Sequence, residues 1–431
     1  MANDKNQILD NIKKSIEEYW IENNEISFNS SNPKINLHEP TFGPEEVMAL
    51  VEVMLSTNVT MGKKVLEFED NLCNYFNISE AVTNNSGSSA NLLAISALAN
   101  IQTENYLKPG DEVIVPALSW STTIWPLIQN NLVPVFVDID PQTLNIDPQK
   151  IEDAIGEKTK AIMIVPVYGN PCDMDSIMSL CKKYDLTLIE DTCESLGATY
   201  DNKPLGSFGR VGTYSFYFSH HMTTLEGGVC ITNDFDLSET MRILRAHGWI
   251  RETKEPQKFL DLVTNKSIDP RFLFVNLGYN LRLTEPQGAM GSVQLPKLNG
   301  FVDSRRKSAD FLLKNLEKFS SFIDFQNETP KGKHSWFGFP MIVKENSPFT
   351  VKEFRDYLEN AGVETRPIIS GDMTQQPAFK LYEHRSSGSL QNSQDIMKNG
   401  LAVACHQSLE IDSLSYIVDS IEGFLKFKGV S

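Results

Sequence analysis

The strongest constraint on the fold is an alternation of short apolar runs with helical stretches between about residues 36 and 240. Helical patterns at 91–101 and 173–184 separate several runs that are rich in valine, isoleucine and aromatic residues, as buried strands are. This alternation predicts an α/β protein with a mostly parallel central sheet flanked by helices on both faces. The apolar runs lie at 111–116, 133–140, 161–169, 186–192, 212–219 and 228–234.

The pattern changes after about residue 295, where helices at 301–319 and 350–362 and a strand at 334–345 predict a smaller α+β unit. At the other end, residues 5–24 carry apolar side chains on one helical face and precede a polar stretch. A chain of 431 residues is longer than one core usually supports. We therefore expect three parts: an N-terminal helical extension over 1–35, a large cofactor-binding α/β domain over 36–294, and a small C-terminal α+β domain over 295–431.

Charge and cysteine usage restrict the partners. Lys and Arg total 39 against 56 Asp and Glu, so the formal net charge is -17. Such a chain repels phosphate backbones and anionic lipid surfaces, which argues against nucleic acid and membrane as partners. No apolar run has the length of a membrane span and the charged N-terminus lacks a signal-peptide core, so we expect a cytoplasmic protein. The six cysteines are scattered without C-x-x-C pairing, which predicts free thiols and no metal site.

Residues 84–93, NNSGSSANLL, place glycine and serine just before a helical run. Backbone N–H groups and hydroxyls at a helix N-terminus bind anions, and a phosphate suits Gly87 and Ser88. Taken alone, the segment also fits a serine-rich helix cap without any ligand.

Two further segments carry candidate chemistry. In IEDTCESLGA (189–198), Asp191 ends a buried strand, where ligands bind in open α/β sheets, and Glu194 follows one helical turn later. Asp191 either pairs with a protonated ring nitrogen of a cofactor or caps the next helix. In SFYFSHHMTTLEGG (215–228), Ser215 precedes two adjacent histidines, of which we expect only one to face a pocket. A lone histidine is also commonly a structural residue.

These segments, in this order and spacing, resemble the sugar aminotransferases of the DegT/DnrJ/EryC1/StrS family over nearly the whole chain after about residue 36. The resemblance implies the type I aminotransferase fold, pyridoxal 5'-phosphate (PLP) as cofactor, and a homodimer with active sites shared between subunits. The matching segments also include VTMGKKVLEFE (59–69), the strand leading to EGG (226–228) and GYNLRLTEPQGAMGSVQL (278–295).

The resemblance assigns roles to individual positions. Gly87, Ser88 and Ser215 match phosphate-binding positions, and Trp120 matches the aromatic that stacks on the cofactor ring. Asp191 matches the acid that pairs with the pyridine nitrogen. Residues of the neighbouring subunit are implied too: Asn280 matches one that reaches the cofactor phosphate, and Arg251 one that approaches the substrate. Glu194 and His247 match further pocket members.

The informative departure is at the Schiff-base lysine, which the aminotransferases of this family carry six residues before the glutamate of EGG. That position is His220 here, and no lysine lies between Val211 and Thr253. Imidazole cannot form the covalent link to the cofactor aldehyde. We therefore expect PLP or its amine form, pyridoxamine 5'-phosphate (PMP), to be held without a covalent bond.

A histidine at this position resembles the sugar 3-dehydratases of the family. One branch, from the ascarylose pathway, has an iron–sulfur cluster built from cysteines downstream of the histidine. Here Cys230 is followed by no cysteine until Cys405, so we expect no iron–sulfur cluster. The other branch, from the colitose pathway, lacks the cluster. This chain resembles the sequences of that branch in the paired histidines, in HGWIR (247–251) and in the His-Gln pair at 406–407.

The resemblance to this branch implies removal of the C3 hydroxyl from a nucleotide-linked 4-keto-6-deoxyhexose, with GDP as the nucleotide and glutamate as amino donor. The product would serve 3,6-dideoxy sugar and O-antigen biosynthesis. His220 would move the proton, since its usual pKa lies near neutrality, while Asp191 keeps the ring nitrogen protonated. His221 is the alternative base, although the register to Glu226 favours His220.

Several alternatives stay open on the sequence alone. Arg251 fits a carboxylate of glutamate, a substrate phosphate or a solvated surface position, and Arg282 and Arg366 are further candidates. The chain is alternatively an aminotransferase that uses a distant lysine, or another PMP-dependent enzyme such as an isomerase. A non-catalytic relative is the remaining possibility, against which the retained Asp191 and Ser215 argue.

Overall fold

The computed structural model describes residues 2–24, 28–261, 263–265 and 267–430. Its strands are β1 Glu80–Asn84, β2 Glu112–Pro116, β3 Val133–Val137, β4 Thr159–Ile164, β5 Thr187–Asp191, β6 Thr199–Tyr200, β7 Lys203–Pro204, β8 Val211–Ser215, β9 Gly228–Thr232, β10 Ile323–Phe325, β11 Gly332–Lys333, β12 Phe339–Val343, β13 Arg385–Ser386 and β14 Gly400–Val403. Its α-helices are α1 Ala2–Asn23, α2 Pro44–Ser56, α3 Lys63–Phe76, α4 Gly87–Leu98, α5 Ser121–Gln129, α6 Pro148–Ala154, α7 Met174–Tyr184, α8 Phe235–Arg245, α9 Pro256–Leu260, α10 Glu285–Gln294, α11 Leu298–Leu316, α12 Val351–Asn360, α13 Gln391–Asn399 and α14 Ile411–Phe427.

The centre of the molecule is an eight-stranded sheet in the order β1-β9-β8-β5-β4-β2-β3-β13. From β8 to β13 all neighbours pair in parallel, whereas β9 is antiparallel to both β1 and β8. Its strands are almost entirely buried, as expected of a sheet covered by helices on both faces. The predicted α/β architecture with a mostly parallel sheet is confirmed.

This topology collects four chain segments at one edge of the sheet. Because β9 runs against both of its neighbours, β1 points the same way as β8, β5 and β2. The carboxyl ends of these four strands therefore open onto the same side, which is where open α/β sheets bind ligands. Helix α4 begins just after β1, and α5 begins shortly after β2.

The predicted strand over 212–219 is wrong beyond Ser215. The chain leaves the sheet there and returns only at Gly228, because Phe216 N donates to Gly227 O and closes a loop between β8 and β9. The intervening segment carries both adjacent histidines. Its aromatic residues were responsible for the overlong prediction.

The C-terminal part contains a three-stranded antiparallel sheet, β10-β12-β14, covered by α11, α12 and α14. Its core also includes Ile35, which pairs with Val363. The chain then contributes to the large sheet as well, since β13 pairs with β3 and Phe379 packs in the large core. The predicted helices and the strand of this region are present with shifted ends, while the domain boundary at 294/295 stays a prediction.

The N-terminal extension forms α1, which confirms the predicted helix, and packs against α2. Trp20 of α1 meets Phe42 edge to face at 5.8 Å. Part of the predicted linker, residues 25–27, lies outside the described residues. Among the helices that the structure describes, none combines the length and the apolar character needed to cross a bilayer.

Candidate active site

A cavity of about 370 Å³ opens at the carboxyl edge of the large sheet. Residues from the start of α4 and α5, the ends of β5 and β8, the β8–β9 loop and the C-terminal part form its walls. Seven of the residues predicted from sequence line it: Gly87, Ser88, Trp120, Asp191, Glu194, Ser215 and His220. Three motifs that are far apart in the sequence therefore meet at one place.

The first wall is the N-terminus of α4. Ser86 is its N-cap, and its hydroxyl accepts from Ser89 N at 3.0 Å. A Cβ placed on Gly87 would lie 2.5 Å from Ser215 Cβ, so only glycine fits this close approach. Backbone N–H groups and two serine hydroxyls thus surround a space at a helix N-terminus, which suits a phosphate.

Asp191, at the end of β5, is nearly buried and is held by neighbouring helices. Its Oδ2 accepts from Asn91 Nδ2 at 2.8 Å and from Thr123 Oγ1 at 2.7 Å. Asn91 is in turn fixed by Thr213, whose hydroxyl donates to Asn91 Oδ1 at 2.6 Å. The carboxylate is therefore oriented toward the cavity by α4 and α5 rather than used to cap a helix.

His220 lies in the β8–β9 loop and is half-buried at the cavity wall. Its Nδ1 is 2.7 Å from the carbonyl oxygen of Cys193, and because a carbonyl only accepts, Nδ1 carries the proton. The lone pair is thus on Nε2. Burial lowers the pKa of His220 to about 4, so at neutral pH this imidazole is a neutral base.

The peptide groups of Cys193 connect the acid and the base. The Cys193 N–H donates to Asp191 Oδ1 at 3.3 Å, while its carbonyl accepts the proton of His220 Nδ1. Both side chains are therefore positioned by the same residue on the loop after β5.

His221 is placed differently from His220. It is fully buried, does not line the cavity, and its Nε2 lies 3.0 Å from the carbonyl oxygen of Ser335. Of the two adjacent histidines, only His220 faces the cavity, as expected for residues that point different ways along an irregular segment. The structure gives His221 no access to a ligand bound there.

The cavity lining also contains a carboxylate and a guanidinium. Glu194 accepts from Tyr168 N at 3.2 Å and lies 3.9 Å from Arg366, which the sequence had offered as a further candidate. Burial raises the pKa of Glu194 to about 7, against the lowering influence of Arg366. Trp120, which is 52% exposed, offers a free aromatic face at the cavity mouth.

His247, Arg251 and Asn280 do not line this cavity. They lie on an exposed cluster, in which Arg282 donates to Asn280 Oδ1 at 3.1 Å and contacts His247 Nε2 at 3.3 Å. Arg251 lies over the Trp249 ring at 5.5 Å. Within one chain, these residues are apart from His220 and Asp191.

Sequence reasoning missed Asn91, Thr123 and Phe337, which also line the cavity. Asn91 is four residues after Gly87 and so shares its helical face, a signal that the sequence does offer. Phe337 carries no such signal, because it comes from the loop before β12, more than a hundred residues from His220.

Among the described residues, none of the side chains that line the cavity is a lysine. In that part of the chain there is also no group of three or more His, Cys, Asp or Glu side chains arranged to hold a metal ion. All six cysteines are unpaired thiols, four of them buried.

Comparison with known proteins agrees with this geometry. The model of the DegT/DnrJ/EryC1/StrS aminotransferase family matches residues 40–422. GDP-4-keto-6-deoxy-D-mannose 3-dehydratase of Yersinia pseudotuberculosis is 44% identical over 375 residues, which cover 86% of this chain and 94% of that protein.

Two solved structures of a GDP-4-keto-6-deoxymannose-3-dehydratase are also similar, each 39% identical and covering 90% of this chain and 100% of the other. The first, with a trapped PLP–glutamate geminal diamine, aligns with a TM-score of 0.86. The second, a histidine-to-asparagine variant with bound GDP-perosamine, aligns with a TM-score of 0.85.

Proposed function

The chain belongs to the DegT/DnrJ/EryC1/StrS aminotransferase family, and from this premise we propose that it is a PLP/PMP-dependent sugar 3-dehydratase. It removes the C3 hydroxyl of a GDP-linked 4-keto-6-deoxyhexose, with glutamate as amino donor, on the route to a 3,6-dideoxy sugar. The observation that carries this proposal is His220: a neutral base at the wall of a cavity whose described lining has no lysine.

The residues present fit the cofactor. The N–H groups at the start of α4, together with Ser88 and Ser215, suit its phosphate, and the absence of a Cβ at Gly87 lets Ser215 approach this helix end closely. Trp120 offers a face to the ring, and the Asp191 carboxylate suits its protonated nitrogen. When bound, the cofactor supplies an amine and an electron sink.

His220 would accept on Nε2 the proton whose removal allows the C3 hydroxyl to leave. Its Nδ1–H bond to the Cys193 carbonyl leaves Nε2 as the nitrogen that accepts and returns the proton. A lysine at the same position would instead recapture the cofactor and favour an aminated product. The reaction balances because glutamate is the reductant: the sugar loses one oxygen, and 2-oxoglutarate and ammonia are released.

We further propose that the working form is a cytoplasmic homodimer in which the exposed cluster of one subunit completes the cavity of the other. Within one cavity the described lining provides a single cation, Arg366, which already lies beside Glu194. A nucleoside diphosphate carries more negative charge than this pair balances. A basic and polar surface lies elsewhere on this chain, whose net charge is -17, and it comprises His247, Arg251, Asn280 and Arg282.

Mass spectrometry of the products tests the function. The protein is incubated with glutamate, PLP and a panel of GDP-, CDP- and dTDP-linked 4-keto-6-deoxyhexoses, and ammonia is measured in parallel. We expect a sugar product lighter by one oxygen, with ammonia equal to 2-oxoglutarate, for the GDP-linked substrate. An amino sugar formed without ammonia would indicate an aminotransferase, and an unchanged mass with a new isomer would indicate an isomerase; either result contradicts the proposal.

A further inference from the structure

Two buried side chains, His221 and Arg305, hydrogen-bond to the backbone carbonyls of residues 335–337 in the loop before β12. His221 lies 3.0 Å from Ser335 O through Nε2, and Arg305 of α11 donates through Nη1 to Trp336 O at 3.1 Å and to Phe337 O at 3.2 Å. Both side chains are almost completely buried. Since a carbonyl only accepts, His221 carries its proton on Nε2.

Arg305 has no acidic partner among the described residues. Its other hydrogen bonds go to Cys405 O and to the Gln407 side chain, and burial lowers its pKa to about 10. Burial of a guanidinium without an acidic partner costs free energy, which its hydrogen bonds to carbonyl oxygens offset in part. What they fix here is the backbone path of residues 335–337.

That path is strained. Trp336 has φ 50°, a left-handed conformation that is unusual for a bulky residue. The neighbouring N–H groups are also tied down, Ser335 N to Gly169 O at 3.1 Å and Phe337 N to Tyr168 O at 2.8 Å. Strained backbone that its surroundings hold in place is concentrated at functional sites. Here the strained conformation of Trp336 sets the position of the next residue, Phe337.

The Phe337 ring lies beside both the base and the cation of the cavity. Its centroid is 4.9 Å from that of His220, and the Arg366 guanidinium lies over the same ring at 5.5 Å. An aromatic ring at this place restricts rotation of the imidazole and occupies space that water or the guanidinium would otherwise fill.

We propose that Phe337 is a positioning residue for His220, and that His221 and Arg305 hold Phe337 in place. Phe337 keeps the imidazole in the orientation set by Cys193 and separates it from Arg366. His221 thus acts on His220 indirectly, because it holds the loop before β12 that places Phe337 against the His220 ring. This inference rests on the proposed function, because it concerns the base of that reaction.

The groups that bear on the charge of His220 come from several elements. Arg366 and Arg305 disfavour its protonated form, and the Cys193 carbonyl favours it. The other titratable groups of the described cavity lining are Asp191, Cys193, Glu194, Tyr217 and Glu226, and the neutral His221 is the next residue in the chain. Loss of the Phe337 ring admits water, which stabilises the protonated imidazole more than the nearby guanidinium opposes it, because burial is the largest cause of the low pKa.

The test measures the titration of His220 directly, by NMR of ring-labelled histidine in the full-length protein, with its signal assigned through His220→Asn. For Phe337→Ala we expect the midpoint to rise by about one pH unit or more. We also expect kcat for dehydration to fall about tenfold to a hundredfold with KM changed less than about twofold. Phe337→Tyr, which keeps the ring, should restore both.

His221→Leu should reproduce both effects of Phe337→Ala, and His221→Asn, whose amide ends short of Ser335 O, is the second variant in case the first does not fold. His221→Gln can still donate to that carbonyl and should recover part of kcat. The matched control is Phe354→Ala, which removes a buried aromatic of the C-terminal core that does not line the cavity. It should lower the melting temperature and leave the His220 midpoint unchanged.

A wild-type midpoint in Phe337→Ala, or an equal shift in Phe354→Ala, overturns the inference. Wild-type values in the folded His221 variant overturn the part that concerns His221. Because the NMR titration needs no turnover, the two proposals fail separately. Absence of dehydration in the wild-type protein refutes the function, while the Phe337 shift still tests the positioning.

Discussion

The cavity at the sheet edge and the exposed cluster around residues 247–282 differ in how their candidate residues are held. In the cavity, Asp191 and His220 each have partners from the same chain that fix their orientation. In the cluster, His247 and Asn280 are exposed and contact chiefly Arg282. One chain thus completes the geometry for proton transfer, whereas the surface suited to anions lies elsewhere on the same chain.

The difference has a cause in the fold. Cavity residues follow parallel strands or begin helices, and these elements pack in the large core before any ligand binds. The cluster belongs to the segment between α8 and α10, whose described residues form α9, two single-turn 3-10 helices and loops. Loops of this kind gain their position from what they contact.

The largest effect should come from His220→Asn, which removes the base but keeps a polar side chain of similar size. We expect dehydration to fall by about 10²- to 10⁴-fold, as for the loss of a general base. Binding of PMP, followed by absorbance, should stay close to wild type because the phosphate and ring contacts are untouched. His220→Lys should also lose dehydration and should trap the cofactor in a borohydride-reducible link. An undiminished rate in His220→Asn would show that another group is the base.

Mixing two impaired chains tests whether the cluster of one subunit serves the cavity of the other. Arg251→Ala should lower kcat/KM about tenfold to a hundredfold if the guanidinium binds an anionic group. Co-refolded His220→Asn and Arg251→Ala chains form mixed dimers with one intact site, so activity should recover to about a quarter of wild type. If the activity of the mixture is no greater than the sum of the activities of the two variants, both residues serve the site of the same subunit. The contrast between the two regions would then be wrong.

A smaller effect should follow from adding a Cβ at Gly87, where the start of α4 closely approaches Ser215. Gly87→Ala introduces a Cβ 2.5 Å from Ser215 Cβ, and we expect PMP affinity to fall about tenfold, the loss of roughly one charge-assisted hydrogen bond. Gly300→Ala is the matched control, because a Cβ added at this position of α11 meets nothing within 4 Å. That variant should bind PMP normally and be slightly more stable. Equal affinity in both variants would contradict a phosphate site at Gly87.

The smallest effect concerns pH. Because burial lowers the pKa of His220 to about 4, the imidazole stays neutral across the range in which an exposed histidine, with a pKa of about 6.5, becomes protonated. The acidic limb of kcat/KM that His220 contributes should therefore lie well below pH 6.5 and move upward in Phe337→Ala. A limb at 6.5 in the wild type would mean that the free enzyme hydrates this residue.

The sequence was sufficient for the architecture and for most of the cavity, since apolar alternation predicts the parallel sheet and each motif follows a strand at the same edge. The sequence was not sufficient where tertiary packing determines the end of a strand or the position of a side chain. The strand prediction ran past Ser215 because aromatic residues of the β8–β9 loop look like strand residues until the loop is closed by Phe216 and Gly227. Phe337 was beyond reach, because its contact with His220 depends on the left-handed Trp336 and on Arg305 from another helix.

The double attachment of Cys193 affects how this site can be studied. Its amide hydrogen reaches Asp191 and its carbonyl oxygen reaches His220, so the bonds that matter are main-chain bonds. Alanine scanning leaves these main-chain groups in place and reports only on the thiol of Cys193. Replacing the Thr192–Cys193 amide by an ester would delete the donor to Asp191 while keeping the carbonyl that accepts from His220, and would test a dependence that side-chain substitution does not reach.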